Sequence, residues 1–239
     1  MKKTVIVVLV VLLCIVGVLL GCGTIGITGS GNPITEDYNF SNFTKVEAHN
    51  GFQVELTKSS TFSIEITVDD NVIEDLEVSK SGDTLSIQLK GTRIYNSVTL
   101  RAVITMPDLY KVDLSGGSRA SITGFSSSHD FSVELSGGSR VSGDITTADA
   151  NFDLSGGSRV DLSGSADDLA VHGSGGSQLD LETFPVDKAD INLSGGGRAT
   201  VNVNGTIDLN LSGGSRVTYV GEPTMGDIDL SEDSTISKK

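Results

Sequence analysis

The sequence predicts an all-β parallel β-solenoid with coils of about 19 residues, irregular N-terminal coils and a polar C-terminal cap. Three observations lead there: a recurring Leu-Ser-Gly-Gly-Ser-Arg motif, apolar columns with even spacing, and paired glycines at the centre of nearly every copy. The Ser that opens the motif stands at Ser115, Ser136, Ser155, Ser174, Ser194, Ser212 and Ser231, at intervals of 21, 19, 19, 20, 18 and 19. Self-similarity at such a period is the signature of stacked supersecondary units.

The columns give the element type. Three positions before the opening Ser stand Val112, Val133, Phe152, Val171, Ile191, Leu209 and Ile228. One before it stand Leu114, Leu135, Leu154, Gly173, Leu193, Leu211 and Leu230. Five after it stand Ala120, Val141, Val160, Leu179, Ala199, Val217 and Ile236. Even separations put these residues on one face of a strand, and paired glycines would break a helix. Each copy therefore reads as strand, Gly-Gly bend, strand, turn. One copy cannot bury its apolar edge alone; stacking copies pairs every strand above and below, at about 4.8 Å per coil.

At a bend inside a narrow coil, Cβ atoms would crowd the neighbouring coil or φ would have to be positive, and glycine answers both demands. The last copy departs from the motif, with Ser231-Glu232-Asp233-Ser234 and polar residues to Lys239. Charge on a terminal coil opposes end-to-end strand addition, so this copy reads as the cap. Residues 43–110 alternate like strands, as in Ile64, Ile66 and Val68 or Leu85, Ile87 and Leu89, but read as out of register with the repeat. They are expected to form irregular coils continuous with the array, whose regular part spans about 111–236.

The N-terminus reads as an export signal. Lys2 and Lys3 precede the uncharged apolar stretch Val5 to Leu20, shorter than the roughly 20 residues of a spanning helix. Gly21-Cys22 after that stretch resembles the lipobox of bacterial lipoproteins. The resemblance implies a signal peptide over 1–21 and a lipidated Cys22, with the domain extracytoplasmic and anchored to the bacterial membrane. The other reading is an uncleaved anchor helix with the Cys incidental. Residues 22–42 read as the lipidated Cys and a flexible tether, and 43–239 as a single solenoid domain. Cys14 and Cys22 are the only cysteines, so no disulfide framework is available.

The charge excludes one class of partner. A formal net charge of −14 from 17 Lys+Arg against 31 Asp+Glu argues against nucleic acid, which requires clustered cations. Losing Lys2 and Lys3 with the signal takes −14 to −16, which disfavours flat docking on anionic lipid.

The chain also resembles the head GIN domain family, named for an auto-transporter adhesin head. The residues that carry the likeness are Phe43 and Val46, then Asn50-Gly51-Phe52-Gln53-Val54-Glu55-Leu56. Met106-Pro107-Asp108-Leu109 running into Leu114-Ser115-Gly116-Gly117-Ser118 completes it. The resemblance covers about residues 43–220 and implies a right-handed β-solenoid on the cell surface; it transfers no catalytic or binding residue. Auto-transporters carry a membrane barrel, and here the lipid would take its place.

Chemistry is sparse. His49, His129 and His172 are scattered and have no nearby Cys, whereas a zinc site needs three or four convergent ligands. The Ser-Gly-Gly copies lack the strand-to-helix elbow and the partnered His of a nucleophilic serine. No catalytic residue, metal or cofactor is expected, and the chain reads as a non-enzyme. Two outward ladders remain: Asp113, Glu134, Asp153, His172, Asn192, Asn210 and Asp229, and Arg119, Arg140, Arg159, Gln178, Arg198 and Arg216. One reading has the ladders offset each other across the bend. The second makes Arg119, Arg140, Arg159, Arg198 and Arg216 a binding surface for an envelope or matrix polysaccharide or a surface protein. A third borrows from polysaccharide-cleaving β-helices and would use Asp113, Glu134 and Asp153 as acid and base. The function expected is adhesin-like surface interaction, with a structural spacer or an envelope signalling accessory as the alternative.

Overall fold

The computed structural model describes residues 26–91 and 93–239. Strands make up 62% and helix 3% of the chain, arranged as a β-solenoid of about seven turns with coils near 19 residues. The signal segment and Cys22 lie outside the described residues.

Two parallel ladders run the length of the molecule. The first joins Lys111–Leu114, Phe131–Leu135, Ala150–Leu154 and Asp168–Gly173, then residues 188–193 and 206–211, then Thr224–Leu230. The second joins Arg119–Ser126, Arg140–Thr146 and Arg159–Ser165, then the first halves of Gln178–Leu193 and Arg198–Leu211, then Arg216–Val220 and Thr235–Lys238. Each Gly-Gly bend carries the chain from the first ladder to the second. The columns stack in register, Val112 on Val133 on Phe152 on Val171 on Ile191 on Leu209, all no more than 3% exposed. A further buried column, Phe131, Ala150, Leu169, Ala189 and Ile207, stands five before the opening Ser; its mixed sizes hide it from a pattern search. Where the column one before the Ser lapses at Gly173, Leu193 fills the space: its Cδ2 would lie 2.5 Å from a Cβ there.

The bend itself is a tight turn. Ser118 N–H donates to the Ser115 carbonyl at 3.3 Å, and the Ser118 hydroxyl donates to the same oxygen at 2.8 Å. The same hydroxyl bond recurs from Ser139, Ser158, Ser177 and Ser215, every one of them buried. The second Ser of the motif is thus a buried brace for the turn. The first glycine of each pair has positive φ and lies against the turn below: a Cβ on Gly213 would stand 2.6 Å from Gly195 N. The final bend keeps this geometry without glycine, Glu232 at φ 52° and Asp233 at φ 60°.

Three expectations need correction. Residues 45–58 are in register with the repeat, since Lys45–Ala48 pairs with Lys111–Leu114 and Gln53–Lys58 with Arg119–Ser126. The aligned residues read Lys-Val-Glu-Ala over Lys-Val-Asp-Leu, and Asn50-Gly51 stands in for Gly-Gly with φ of 62° and 88°. The later N-terminal strands are not simply further coils. Thr84–Leu89 and Leu100–Met106 pair parallel beneath 45–58, so this first coil lies between them and the array. Antiparallel strands then close that end: Leu76–Ser81 on one ladder, Ser63–Asp69 and Pro33–Asp37 on the other. That placement also corrects the expected flexible tether over 22–42 in its described part, residues 26–42, because Pro33–Asp37 is hydrogen-bonded into the sheet and Ile27–Thr28 pairs with Tyr95–Asn96. Their residues look like linker because the edge strand Pro33–Asp37 adds backbone hydrogen bonds without burying any of its side chains.

The C-terminal cap is polar at its bend and along its outer faces, but its inner columns stay apolar. Met225, Ile228 and Leu230 continue the buried columns of Ile207, Leu209 and Leu211 but are 44%, 37% and 39% exposed, with no further coil above them among the described residues.

The glycine stack yields a stability test. Gly213→Ala should cost about 2–4 kcal/mol, from left-handed backbone strain plus the collision with Gly195. Gly214→Ala, which meets nothing closer than 4.0 Å, should cost only the backbone component, about 1–2 kcal/mol. Chemical denaturation monitored by circular dichroism would compare them, and equal losses would rule out close stacking of the turns.

Candidate functional site: the arginine face

Register decides where the charges go. Arg119, Arg140, Arg159, Gln178, Arg198 and Arg216 align rung upon rung on the outer face of the second ladder. The line continues to Gln53 and Arg101 at one end and to Thr235 at the other. Parallel pairing sets neighbours near 4.8 Å. Arg119, Arg140, Arg198 and Arg216 are exposed and Arg159 is half-buried. Beside them runs a second outward column of Ser121, Ser142, Asp161, Asp180, Thr200, Thr218 and Ser237.

Like charges at this spacing repel by roughly 1 kcal/mol in water. Local contacts relieve part of it. Arg159 Nη2 lies 3.5 Å from Asp161 Oδ2, and Arg216 Nε donates to Thr235 Oγ1 at 3.2 Å. Arg101 Nη2 meets Glu55 Oε1 at 2.8 Å. Among the described residues Arg119, Arg140 and Arg198 make no ion pair.

Among the described residues no ion pair joins the two charge ladders across the bend. The acidic ladder lies on the other sheet and takes its counter-charge from Lys111, whose Nζ is 2.7 Å from Glu134 Oε1 and 3.9 Å from Asp113 Oδ2. Two residues along a strand is the shorter reach, so Lys111 wins over any arginine beyond the bend. Burial pushes the Asp113 carboxyl up, with Lys111 pulling against it and Glu134 adding to the rise. The hydrogen bond from Lys111 holds Glu134 below its usual range.

This ladder lines a shallow groove of about 570 Å³ that includes Asp113, Glu134, Asp153, His172 and Asn192. Asp113 and Glu134 are register neighbours on adjacent coils. His49 Nδ1 lies 2.6 Å from Ser115 Oγ, and His129 packs on Tyr110 with ring centroids 4.8 Å apart. Among the described residues no three His, Cys, Asp or Glu side chains are placed to hold a metal. Among the same residues no helix is long and apolar enough to cross a membrane.

The carboxyl pair predicts opposite pH behaviour for two variants. A raised carboxyl binds its proton more tightly when folded, so its stabilising contribution is present below the ordinary Asp pKa and lost as pH rises. Asp113→Asn should therefore stabilise by up to about 1 kcal/mol at pH 7 and by nothing near pH 3. For Glu134 the shift is downward, so its contribution is present at neutral pH and lost as pH falls through the lowered value. Glu134→Gln should destabilise at pH 7 by about 0–1 kcal/mol and lose that effect in acid. Thermal midpoints across pH would check both; the same sign for the two variants at pH 7 would refute the assignment.

Comparison with known proteins places the chain. A solved structure of a putative adhesin from Bacteroides fragilis superimposes with a TM-score of 0.83 at 23% identity, covering 90% of this chain and 100% of that one. A protein from Parabacteroides distasonis described as a putative lipid binding protein gives 0.72 at 18% identity, over 89% and 99%. A putative adhesin from Parabacteroides merdae gives 0.62 at 16% identity, over 90% and 99%. At these identities the likeness is one of fold. No curated protein matches. Residues 42–223 match the family described as "Putative auto-transporter adhesin, head GIN domain", and the chain belongs to that family.

Proposed function

We propose that this is an exported, lipid-anchored, non-catalytic adhesin-like protein that meets an anionic envelope or matrix polysaccharide with its arginine face. The observation that carries the reading is the in-register line of Arg119, Arg140, Arg159, Arg198 and Arg216 on a rigid exposed sheet. Arg pairs with carboxylate, phosphate or sulfate through two parallel hydrogen bonds, and the sheet holds successive guanidinium groups along one axis. A linear polyanion laid along that axis meets a cation at nearly every coil. Each exposed contact contributes little, about 0–1 kcal/mol, so affinity comes from their number. In the column beside the arginines, Ser121, Ser142, Thr200 and Thr218 supply hydroxyls to a sugar backbone, while Asp161 and Asp180 interrupt it at the middle coils.

The overall negative charge does not cancel this. The sheets of a stacked pair stand about 10 Å apart, and physiological salt screens charges over about 8 Å. The acidic ladder therefore acts weakly on a ligand bound to the opposite sheet. In this reading Cys22 carries the lipid, and the described domain begins just beyond it.

Residues 26–239, which hold every described element, would be tested on isolated envelope polysaccharides and on whole cells. Binding should saturate, weaken with salt, and fall at least tenfold when Arg119, Arg140 and Arg159 are all changed to Ser. No binding by either folded protein would sink the arginine-face reading and favour a rigid spacer. For the anchor, Cys22→Ser should move the full chain from the membrane fraction to the soluble one; retention in the membrane would favour an uncleaved helix.

A further inference from the structure

The two ends of the solenoid are finished differently. At the N-terminal end, antiparallel strands cover the outermost parallel rungs. At the other end, Thr224–Leu230 and Thr235–Lys238 are hydrogen-bonded on one side only within the described chain. Among the described residues both sheets have open strand edges there, around the exposed Met225, Ile228 and Leu230 and the half-buried Ile236. Open edges around an apolar centre are a template for further pairing.

Charge and backbone chemistry choose the occupant. Head-to-tail stacking would bring up the N-terminal edge strand Pro33–Asp37, whose Pro33 lacks an N–H and cannot donate to the ladder. A second copy meeting end to end about a twofold axis pairs strands antiparallel, whichever of the two in-plane axes is used. One axis sets bend on bend, Glu232 and Asp233 against the same two acids. The other sets the bend of each copy over the opposite end of its partner, where Lys238 and Lys239 stand. Those lysines contact Glu222 and Glu182 of their own chain, exposed pairs worth little that leave them open to exchange.

We infer that two copies associate through their C-terminal coils, antiparallel, with each Thr224–Leu230 strand paired to its counterpart and the acidic bend over the lysines. Ile228, Leu230, Ile236 and Met225 are then covered by the same residues of the partner. With strands of seven residues and sheets about 10 Å apart, the end face is on the order of 400–500 Å² per copy. That is well under the roughly 800 Å² per partner of a standard interface. The outward Asp227 and Asp229 face the partner's acids across the seam and weaken it further. The dimer is therefore a high-micromolar one, formed where copies are concentrated. On the anchored adhesin reading proposed above, the twofold points the N-termini away from each other, so the dimer joins two surfaces instead of lying on one.

Sedimentation velocity of residues 26–239 between about 5 and 500 µM should show a monomer passing to a dimer. Asp227→Asn with Asp229→Asn should tighten it several-fold. Glu232→Lys with Asp233→Lys should weaken it, and adding Lys238→Glu with Lys239→Glu should restore it, with circular dichroism confirming the fold of each. A monomer throughout, or a dimer indifferent to all these changes, would overturn the inference. Beads coupled through the N-terminus should cluster only where the dimer forms; a dimer without clustering would reject the bridging role. Polysaccharide binding by the arginine face is read separately, so either proposal can fail alone.

Discussion

The fold rests on the two-glycine bend that passes the chain from one sheet to the other. A coil of about 19 residues has to reverse direction in two residues while its neighbours do the same directly above and below. Left-handed backbone meets the first demand and the missing Cβ meets the second, as the 2.6 Å approach at Gly213 shows. The buried Ser that follows then donates to the carbonyl that the turn would otherwise leave underused. Once this unit is set, register follows, and register places every other side chain. Shifting one rung by a single residue would turn its apolar column outward and its charges inward.

The same logic explains how the ends differ. At the N-terminal end the chain lays down one coil at 45–58, then passes beneath it with Thr84–Leu89 and Leu100–Met106 before climbing into the array. That detour gives the sequence between them freedom to form antiparallel strands, which close the ladders. At the other end the bend keeps its left-handed geometry with Glu232 and Asp233, and the apolar columns run out into solvent.

Charge is arranged by the coil and not by pairing between faces. The motif puts an acid before the bend and an arginine after it, and the bend assigns them to different sheets. Lys111 serves the acids from its own strand, while of the ladder arginines Arg159 pairs with Asp161 on its own rung. The result is one face with stacked acids beside Lys111 and one with a line of cations, on a protein whose net charge is −14.

The repeat, its strand periodicity, the glycine requirement and the membership of both charge ladders were all legible in the sequence, because each depends on local spacing. The early coil at 45–58 was legible too, in Lys-Val-Glu-Ala against Lys-Val-Asp-Leu, but its Asn-Gly and Phe52 replace the glycine-serine signal that marks the other copies. Three things only the tertiary structure decided: that Pro33–Asp37 joins the sheet, that the first coil is sandwiched from below, and that Asp113 and Glu134 take Lys111 in place of an arginine. Each depends on which segments meet across tens of residues, and pairing over that range is chosen by the edge left open and the nearest opposite charge, neither of which local spacing records.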